Sequence, residues 1–379
     1  MVYVHIPFCR SFCTYCGFYS EVAPKCRETQ FEEFAEALVK EIETRRQDIH
    51  GVFASGDVNT LYIGGGTPSV LPPAVFEKLL TALGRSGFDE FTVEVNPEDI
   101  VEKGPEYVEG LLAAGVNRIS MGVQSFDDRL LKWMNRRHSS SQAVQAYRIL
   151  ESAGVDNISI DLIFGLPQLT DELWRETMEK ALSISSRGNL PKHISAYQLS
   201  VEEGSMLEKM ISKGMCAEAP EEDCHRQYEM LCSVLRQAGY EHYEISNFAM
   251  PGYQAKHNSA YWKHVPYVGL GPGAHSFLDG KRMWNADDLS AYLKAGSNGD
   301  FSEIRGCETL DLEQKKIEKI MLGLRTAAGV EEEFLRDSCA GNVLAEALAN
   351  GNLEVVGNGM VRIPEDRFFI SDNIISSII

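Results

Sequence analysis

No window of about 18 consecutive apolar residues occurs in the 379-residue chain, so the sequence offers no segment for a helix that crosses a bilayer. Positive charge is scarce. Lys and Arg number 36 against 55 Asp and Glu, a formal net charge of −19. A chain of that balance repels polyanions, whereas a nucleic-acid reader normally neutralises phosphates with a basic surface. The opening MVYVHIPF has neither the basic n-region nor the long apolar core of a secretory signal, which makes the cytoplasm the expected compartment. A paired set of cysteines is also missing: the nine are an odd count, so no disulfide framework is expected. Repeats and low-complexity segments are absent too. At 44% apolar and 24% charged residues the composition is that of a globular protein, with length for one large domain and a smaller one.

What is present is concentrated near the start. HIPFCRSFCTYCGFYS packs Cys9, Cys13 and Cys16 into eight residues. A thiolate is a soft ligand for an iron–sulfur cluster or zinc, and gaps of three and two residues let one loop present three sulfurs to one inorganic centre. Three ligands are one short of a closed structural site, so such a centre keeps a position open for chemistry. A zinc knuckle completed by His5 or Cys26 is the other reading of the same thiols, and unrelated buried cysteines the third. Cys216, Cys224, Cys232, Cys307 and Cys339 are scattered. Cys224 and Cys232 lie eight apart in a predicted helix and share a face, where buried free thiols are common.

Downstream, short β-rich runs alternate with amphipathic stretches, the pattern of repeated βα units and a mostly parallel sheet. Strands are predicted at 2–6, 60–63, 91–95, 118–123, 158–164 and 193–199, giving six βα units by about residue 215. Helices are predicted over 31–49, 141–154 and 221–238, and over 312–329 with a glycine stop. Two short helices follow, then a hairpin over 353–363 turning at Gly357-Asn358-Gly359, so the end of the chain resembles a winged-helix module. In so acidic a chain that module is assigned to packing or partner contact ahead of DNA. The expected division is 1–215 for the βα core, 216–290 for a capping segment and 291–379 for the carboxy-terminal α+β domain.

Sheets of this kind bind ligands beyond the carboxyl ends of their strands. There the sequence places Gly64-Gly65-Gly66-Thr67-Pro68 after one strand, Glu94 near the end of the next, and Gln124 and Asp161 at the ends of two more, with Arg136 between them. Glycines let backbone approach a ligand, and polar groups at successive strand ends converge on one mouth. Each taken alone also fits an ordinary turn or strand-end hydrogen bond.

The spacing C-x3-C-x2-C resembles that of the radical S-adenosylmethionine enzymes. The resemblance implies a partial (β/α)6 barrel and a [4Fe-4S] cluster whose free iron chelates S-adenosylmethionine, cleaving it to a 5′-deoxyadenosyl radical. YVHIPFC, GGGTPS, VEVNPE, RISMGVQSF, NRRH and DLIFGLP resemble the oxygen-independent coproporphyrinogen III oxidase family, and IEKIMLGLRTAAGV resembles its accessory domain. By that resemblance Tyr3, Tyr15, Gly65, Gly66, Thr67, Glu94, Gln124, Arg136 and Asp161 line S-adenosylmethionine sites, the last three at a second S-adenosylmethionine. Two departures put the oxidase chemistry in doubt. Phe18 stands where the oxidase has a fourth cysteine, and the chain begins eight residues before Cys9 where the oxidase carries an extension.

KHNSAYWKH holds His257-Asn258-x-x-Tyr261-Trp262, which is similar to the H-N-x-x-Y-W motif of the HemW-type haem chaperones within that family. Imidazole ligates haem iron and flanking aromatics cover a porphyrin. His257 is the expected iron ligand, with Asn258, Tyr261 and Trp262 shaping the pocket, and His264 or His275 as further candidates. The expectation is a haem chaperone that hands haem to apo-haemoproteins, by resemblance respiratory ones reached near a membrane surface, and that can form a homodimer. No catalytic residue is assigned. Coproporphyrinogen oxidation is the alternative function, and radical modification of nucleic acid is disfavoured by the charge.

Overall fold

A computed structural model describes residues 1–22, 28–56, 58–339 and 341–379. Cys26 therefore lies outside the described residues. Nine strands form the main sheet: β1 Val2–Ile6, β2 Thr60–Gly65, β3 Glu90–Val95, β4 Arg118–Gln124, β5 Ile158–Phe164, β6 His193–Gln198, β7 Glu241–Glu244, β8 Asn247–Ala249 and β9 Val268–Leu270. Their order is β9-β1-β2-β3-β4-β5-β6-β8-β7. The strands from β1 to β6 pair in parallel with their sequence neighbours, as alternating strand and helix patterns require. Their continuous apolar runs follow from burial on both faces, and all six coincide with the predicted strands to within two residues at each end. A parallel β9 flanks β1, and the β7–β8 hairpin closes the other edge antiparallel.

Two helices differ from expectation. The pattern over 31–49 is two helices, Glu28–Thr44 and Arg46–Ala54. The break falls at Arg45, whose buried guanidinium turns inward to donate to Gly269 O and Ser276 Oγ, both at 2.9 Å. The helix from Leu312 ends at Leu324, short of Gly329. There the backbone leaves to bond the sheet edge: Ile245 N donates to Arg325 O and Ala327 N to Tyr243 O. The segment 275–309, left without strands by the sequence pattern, is a three-stranded antiparallel sheet of His275–Leu278, Lys281–Asn285 and Arg305–Thr309. Its first turn carries Asp279 and Gly280 at φ +52 and +71, the paired left-handed residues of a tight hairpin.

Beyond it, helices Leu312–Leu324, Glu332–Ser338 and Val343–Ala349 pack with a small sheet of Val330–Glu331, Met360–Arg362 and Glu354–Val356. Its hairpin turns at Asn358 and Gly359, both left-handed. Three helices and a terminal hairpin give this segment the outline of a winged helix. Among the described residues no helix is long and apolar enough to cross a membrane.

One buried carboxylate ties the carboxy-terminal half to the barrel. Glu41, fully buried, accepts from Gly271 N, Tyr292 OH and Asn285 Nδ2, each at 2.8 Å, and pairs with Arg305 at 3.3 Å. Four donors from four separate segments converge on two oxygens, which satisfies a charge that burial alone forbids. Glu41→Ala strands those donors and should cost about 3–5 kcal/mol in a urea unfolding curve.

Candidate functional site

Strand β1 ends at Ile6 and the chain runs on through Phe8 and Cys9 into the cysteine loop, at the carboxyl edge of the sheet. Phe8 is fully buried against Phe31 and Phe34 and anchors the loop's entry. Between Cys13 and Cys16 the loop is held by Thr14, whose hydroxyl donates to Trp133 O at 2.8 Å and whose carbonyl accepts from Leu207 N at 2.8 Å. Cys9, Cys13 and Cys16 are unpaired and half-buried, and all three line one cavity of about 520 Å³.

Across that cavity lies the glycine turn that ends β2. Each glycine there answers a close approach. A Cβ on Gly64 would come within 2.8 Å of Glu94 Oε1, one on Gly65 within 2.6 Å of the His5 ring, and one on Gly66 within 2.7 Å of Phe8 O. Gly65 also has φ +106, a conformation that side-chain-bearing residues rarely adopt. Thr67 Oγ1 lies 3.4 Å from Cys9 Sγ, joining the turn to the cysteine loop.

The strand-end residues complete the wall. Glu94 accepts from Tyr62 OH at 2.7 Å and from Gly65 N at 3.1 Å. Burial lifts its carboxyl to about 7 in spite of those two bonds. Gln124 sits at φ +66 beside a register shift in β4, a strained backbone that turns the strand end toward the cavity. Asp161 accepts from Ser120 Oγ at 3.0 Å, and burial raises its pKa against the pull of nearby hydroxyls and Arg118. Arg136 is the cation nearest the thiols on the cavity wall, which Arg10 and Arg137 also line: it donates to Cys13 Sγ at 3.4 Å, to Gly122 O at 2.6 Å, and to Asn96 Oδ1. Tyr15 also lines the cavity.

The donor set suits an iron–sulfur cubane better than zinc. One tetrahedral zinc, with Zn–S bonds of about 2.3 Å, draws its sulfurs to about 3.8 Å apart. The three sulfurs here do not gather as a set within 4.8 Å of one another. Ligands on separate irons of a cluster stand farther apart. Burial pushes the Cys16 thiol up to about 11, with the neighbouring Cys13 and Cys9 adding to the shift, and burial also raises Cys9. Crowded thiols of this kind give up their protons to a cationic centre.

Several cavity residues were not singled out in the sequence, Arg118 and Ser120 although they fall in RISMGVQSF, Ser195 and Tyr197 with no motif around them. Arg118, Ser120, Ser195 and Tyr197 all line the cavity. Arg118 is 1% exposed at the floor, its Nε without a partner. A lone Arg opening an apolar strand run was the available clue, since a buried cation demands acidic neighbours.

Several of the expected residues lie away from the cavity. Tyr3 does not line the cavity: its hydroxyl bonds His5 Nδ1 at 3.1 Å, beneath the Tyr62 ring. His257 offers no nitrogen to a haem in this arrangement. It is fully buried, with Nδ1 2.8 Å from Thr60 Oγ1, Nε2 3.1 Å from Tyr261 OH, and its amide donating to Glu90 Oε1 at 2.9 Å. Thr60 opens β2 while the glycine turn closes it, so His257 hydrogen-bonds at the start of the strand, and its ring packs 5.2 Å from that of Tyr62, which stands between it and the cavity. Helix Lys256–Trp262 plugs the lower mouth of the barrel, and of its motif residues only Asn258 reaches the cavity. Tyr261 and Trp262 are half-buried outside it. His264 pairs with Glu318 at 2.9 Å, and His275 is exposed beside Trp284.

His257→Ala should therefore behave as a core truncation. It should cost about 2–4 kcal/mol in chemical unfolding, while the haem absorption spectrum of the folded protein stays at the wild-type maximum.

The glycines of GLGPGAH also serve packing: a Cβ on Gly271 would meet His5 O at 2.4 Å and one on Gly269 would overlap His275 O.

A parallel barrel whose first loop carries three convergent thiols defines a class, and the comparisons give the same one: residues 3–181 match the model of the radical SAM superfamily. The coproporphyrinogen III oxidase HemN of Escherichia coli, a radical SAM enzyme, superposes with a TM-score of 0.78 over 99% of this chain and 89% of that one, at 21% identity, a likeness of fold. The heme chaperone HemW of Lactococcus lactis is 37% identical over 86% of this chain and 82% of its own length. That of Bacillus subtilis is 34% identical over 87% and 84%. The chain belongs to the HemW family.

Proposed function

We propose that this chain binds a [4Fe-4S] cluster on Cys9, Cys13 and Cys16 and S-adenosylmethionine in the adjoining cavity, and that it binds haem and delivers it to apo-haemoproteins. The observation that carries the cofactor reading is the convergence of three unpaired thiols, the glycine turn and Arg136 on one cavity. The haem reading rests on the relatives' function as haem chaperones.

A cluster held by three thiolates supplies one electron at low potential and one iron with an open position. The chain's own groups do the rest. Arg136 offsets the negative charge gathered at Cys13. The Gly64–Gly66 turn presents backbone to the ligand's polar end, and Glu94, held by Tyr62 and Gly65, presents a carboxylate oxygen to hydroxyl donors. Asn258 approaches from below. Haem has apolar surface to meet at the mouth, where Phe12 and Phe18 are 53% and 72% exposed. An exposed Phe18 also leaves the loop without the extra thiol of the oxidases.

Anaerobic reconstitution with iron and sulfide, followed by haem and S-adenosylmethionine titrations monitored by absorption and electron paramagnetic resonance, tests this reading. A cubane signal, stoichiometric haem and transfer to an apo-haemoprotein support it. Turnover of coproporphyrinogen III to protoporphyrinogen would replace it with the oxidase function.

A further inference from the structure

Away from the cavity, three side chains of metal-ligating type meet where the sheet edge abuts the carboxy-terminal segment. Cys232 comes from the helix Glu221–Gln237, His242 from β7, and Glu365 from the first residue of the short helix Glu365–Ile370. Among the described residues they are the one such group whose donor atoms all lie within 4.8 Å of one another. Cys232 Sγ is 3.9 Å from His242 Nδ1, and Nδ1 is 3.3 Å from Glu365 Oε1. Zinc bonds to sulfur, nitrogen and carboxylate oxygen at a tetrahedral angle require separations of about 3.6 Å and about 3.3 Å for those same pairs.

The surroundings match those of a ligating imidazole. With Nδ1 turned to Cys232 and Glu365, Nε2 lies 3.3 Å from Tyr228 OH and 3.5 Å from Ile245 O. A metal-bound histidine typically donates its second N–H to such an oxygen, which fixes the ring and its tautomer. The ring is held further by Phe248, stacked at 4.0 Å, and by the edge of Phe368 at 5.0 Å. An ion pair of His242 with Glu365 would account for two of the three groups, and Arg236, 2.8 Å from Glu365 Oε1, extends it. It leaves out the buried sulfur, which bonds Tyr228 and also lies 3.9 Å from the same nitrogen. Arg236 is 62% exposed and has room to shift as a cation takes its place.

We propose that Cys232, His242 and Glu365 form a mononuclear site for a borderline-soft divalent cation of the zinc class, which ties the edge of the large sheet to the carboxy-terminal segment. One thiolate and one carboxylate balance the two charges of the ion. The mixed sulfur, nitrogen and oxygen donors select against calcium and magnesium, which take oxygen ligands. A solvent molecule takes the fourth position, on the side where Glu365 is open. The site is separate from the cysteine loop: β7 and β1 lie near opposite ends of the strand order.

The test uses the full chain with its cluster reconstituted, so that Cys9, Cys13 and Cys16 are occupied, and adds zinc alone. After desalting, elemental analysis should find one zinc per chain, and the thermal midpoint should rise with added zinc. Cys232→Ser, His242→Gln and Glu365→Gln should each weaken retention at least tenfold and abolish the rise, with iron content unchanged. Glu365→Gln is the variant least exposed to misfolding, since its side chain is 36% exposed and circular dichroism checks its fold. Wild-type protein that retains no stoichiometric zinc, or folded Glu365→Gln that retains it as tightly as wild type, overturns the proposal. A midpoint unmoved by zinc overturns the structural tie.

Discussion

Cys13→Ala should abolish iron loading, leaving the reconstituted chain without the broad visible absorption and the reduced-state resonance of a cubane. Two remaining thiolates do not hold a cluster that already has one iron without a protein ligand, so the loss should be complete and not partial. The fold should survive. Cys13 is half-buried on a loop fixed by other residues, by Phe8 in its aromatic cage at the entry and by the neighbouring Thr14 between Trp133 and Leu207. Unfolding midpoints of the cluster-free wild type and the variant should accordingly agree within about 0.5 kcal/mol. The same variant separates two roles of Arg136. Its guanidinium also bonds Gly122 O and Asn96, so it should stay in place without the sulfur. S-adenosylmethionine affinity should then fall because the iron is gone, while the pocket wall persists. Iron retained by Cys13→Ala at wild-type stoichiometry would show that the three thiols do not act as a set.

The parts of this molecule legible in the sequence are those where one local physical rule dominates. Strands β1 to β6 are largely buried, apolar-rich runs bounded by turns, and the cysteine loop and the glycine turn announce themselves because no other residue types do those tasks. Tertiary choices stayed hidden. Arg45 breaks a helix by reaching for Gly269 and Ser276, more than 200 residues away, and no periodicity within 31–49 records that. The helix at 312 stops early for a similar reason, because Arg325 and Ala327 pair with the sheet edge. His257 is the instructive case. A histidine beside aromatics reads equally as a ligand or as a core group, and only the register of β2, which brings Thr60 to its Nδ1, decides which end of the barrel it occupies. Cys232, His242 and Glu365 were invisible for the same reason: 123 residues separate His242 from Glu365.

Arg118→Leu should be as damaging as the loss of Glu41, and its damage should depend on pH. The side chain is fully buried at the cavity floor, where Thr92 Oγ1 at 3.4 Å is a weak partner and Nε has none. What holds the guanidinium there is charge. Glu90 and Asp161 act on it, and it in turn lowers the pKa of Glu94 and Asp161. Burial already holds both carboxyls above their ordinary values, Glu94 at about 7 against 4.5. A raised carboxyl means that the folded state binds more protons than the unfolded one between the two values, so stability falls as pH climbs through that window. Removing the cation moves the folded values higher still and extends the loss upward in pH. Arg118→Leu should thus cost about 3–5 kcal/mol at about pH 8, and distinctly less at about pH 5, where protons take over from the missing guanidinium. Urea midpoints at the two pH values measure the difference. An equal loss at both would mean that Arg118 serves the barrel by filling volume, and the acidic wall of the cavity would then need another source of neutralisation.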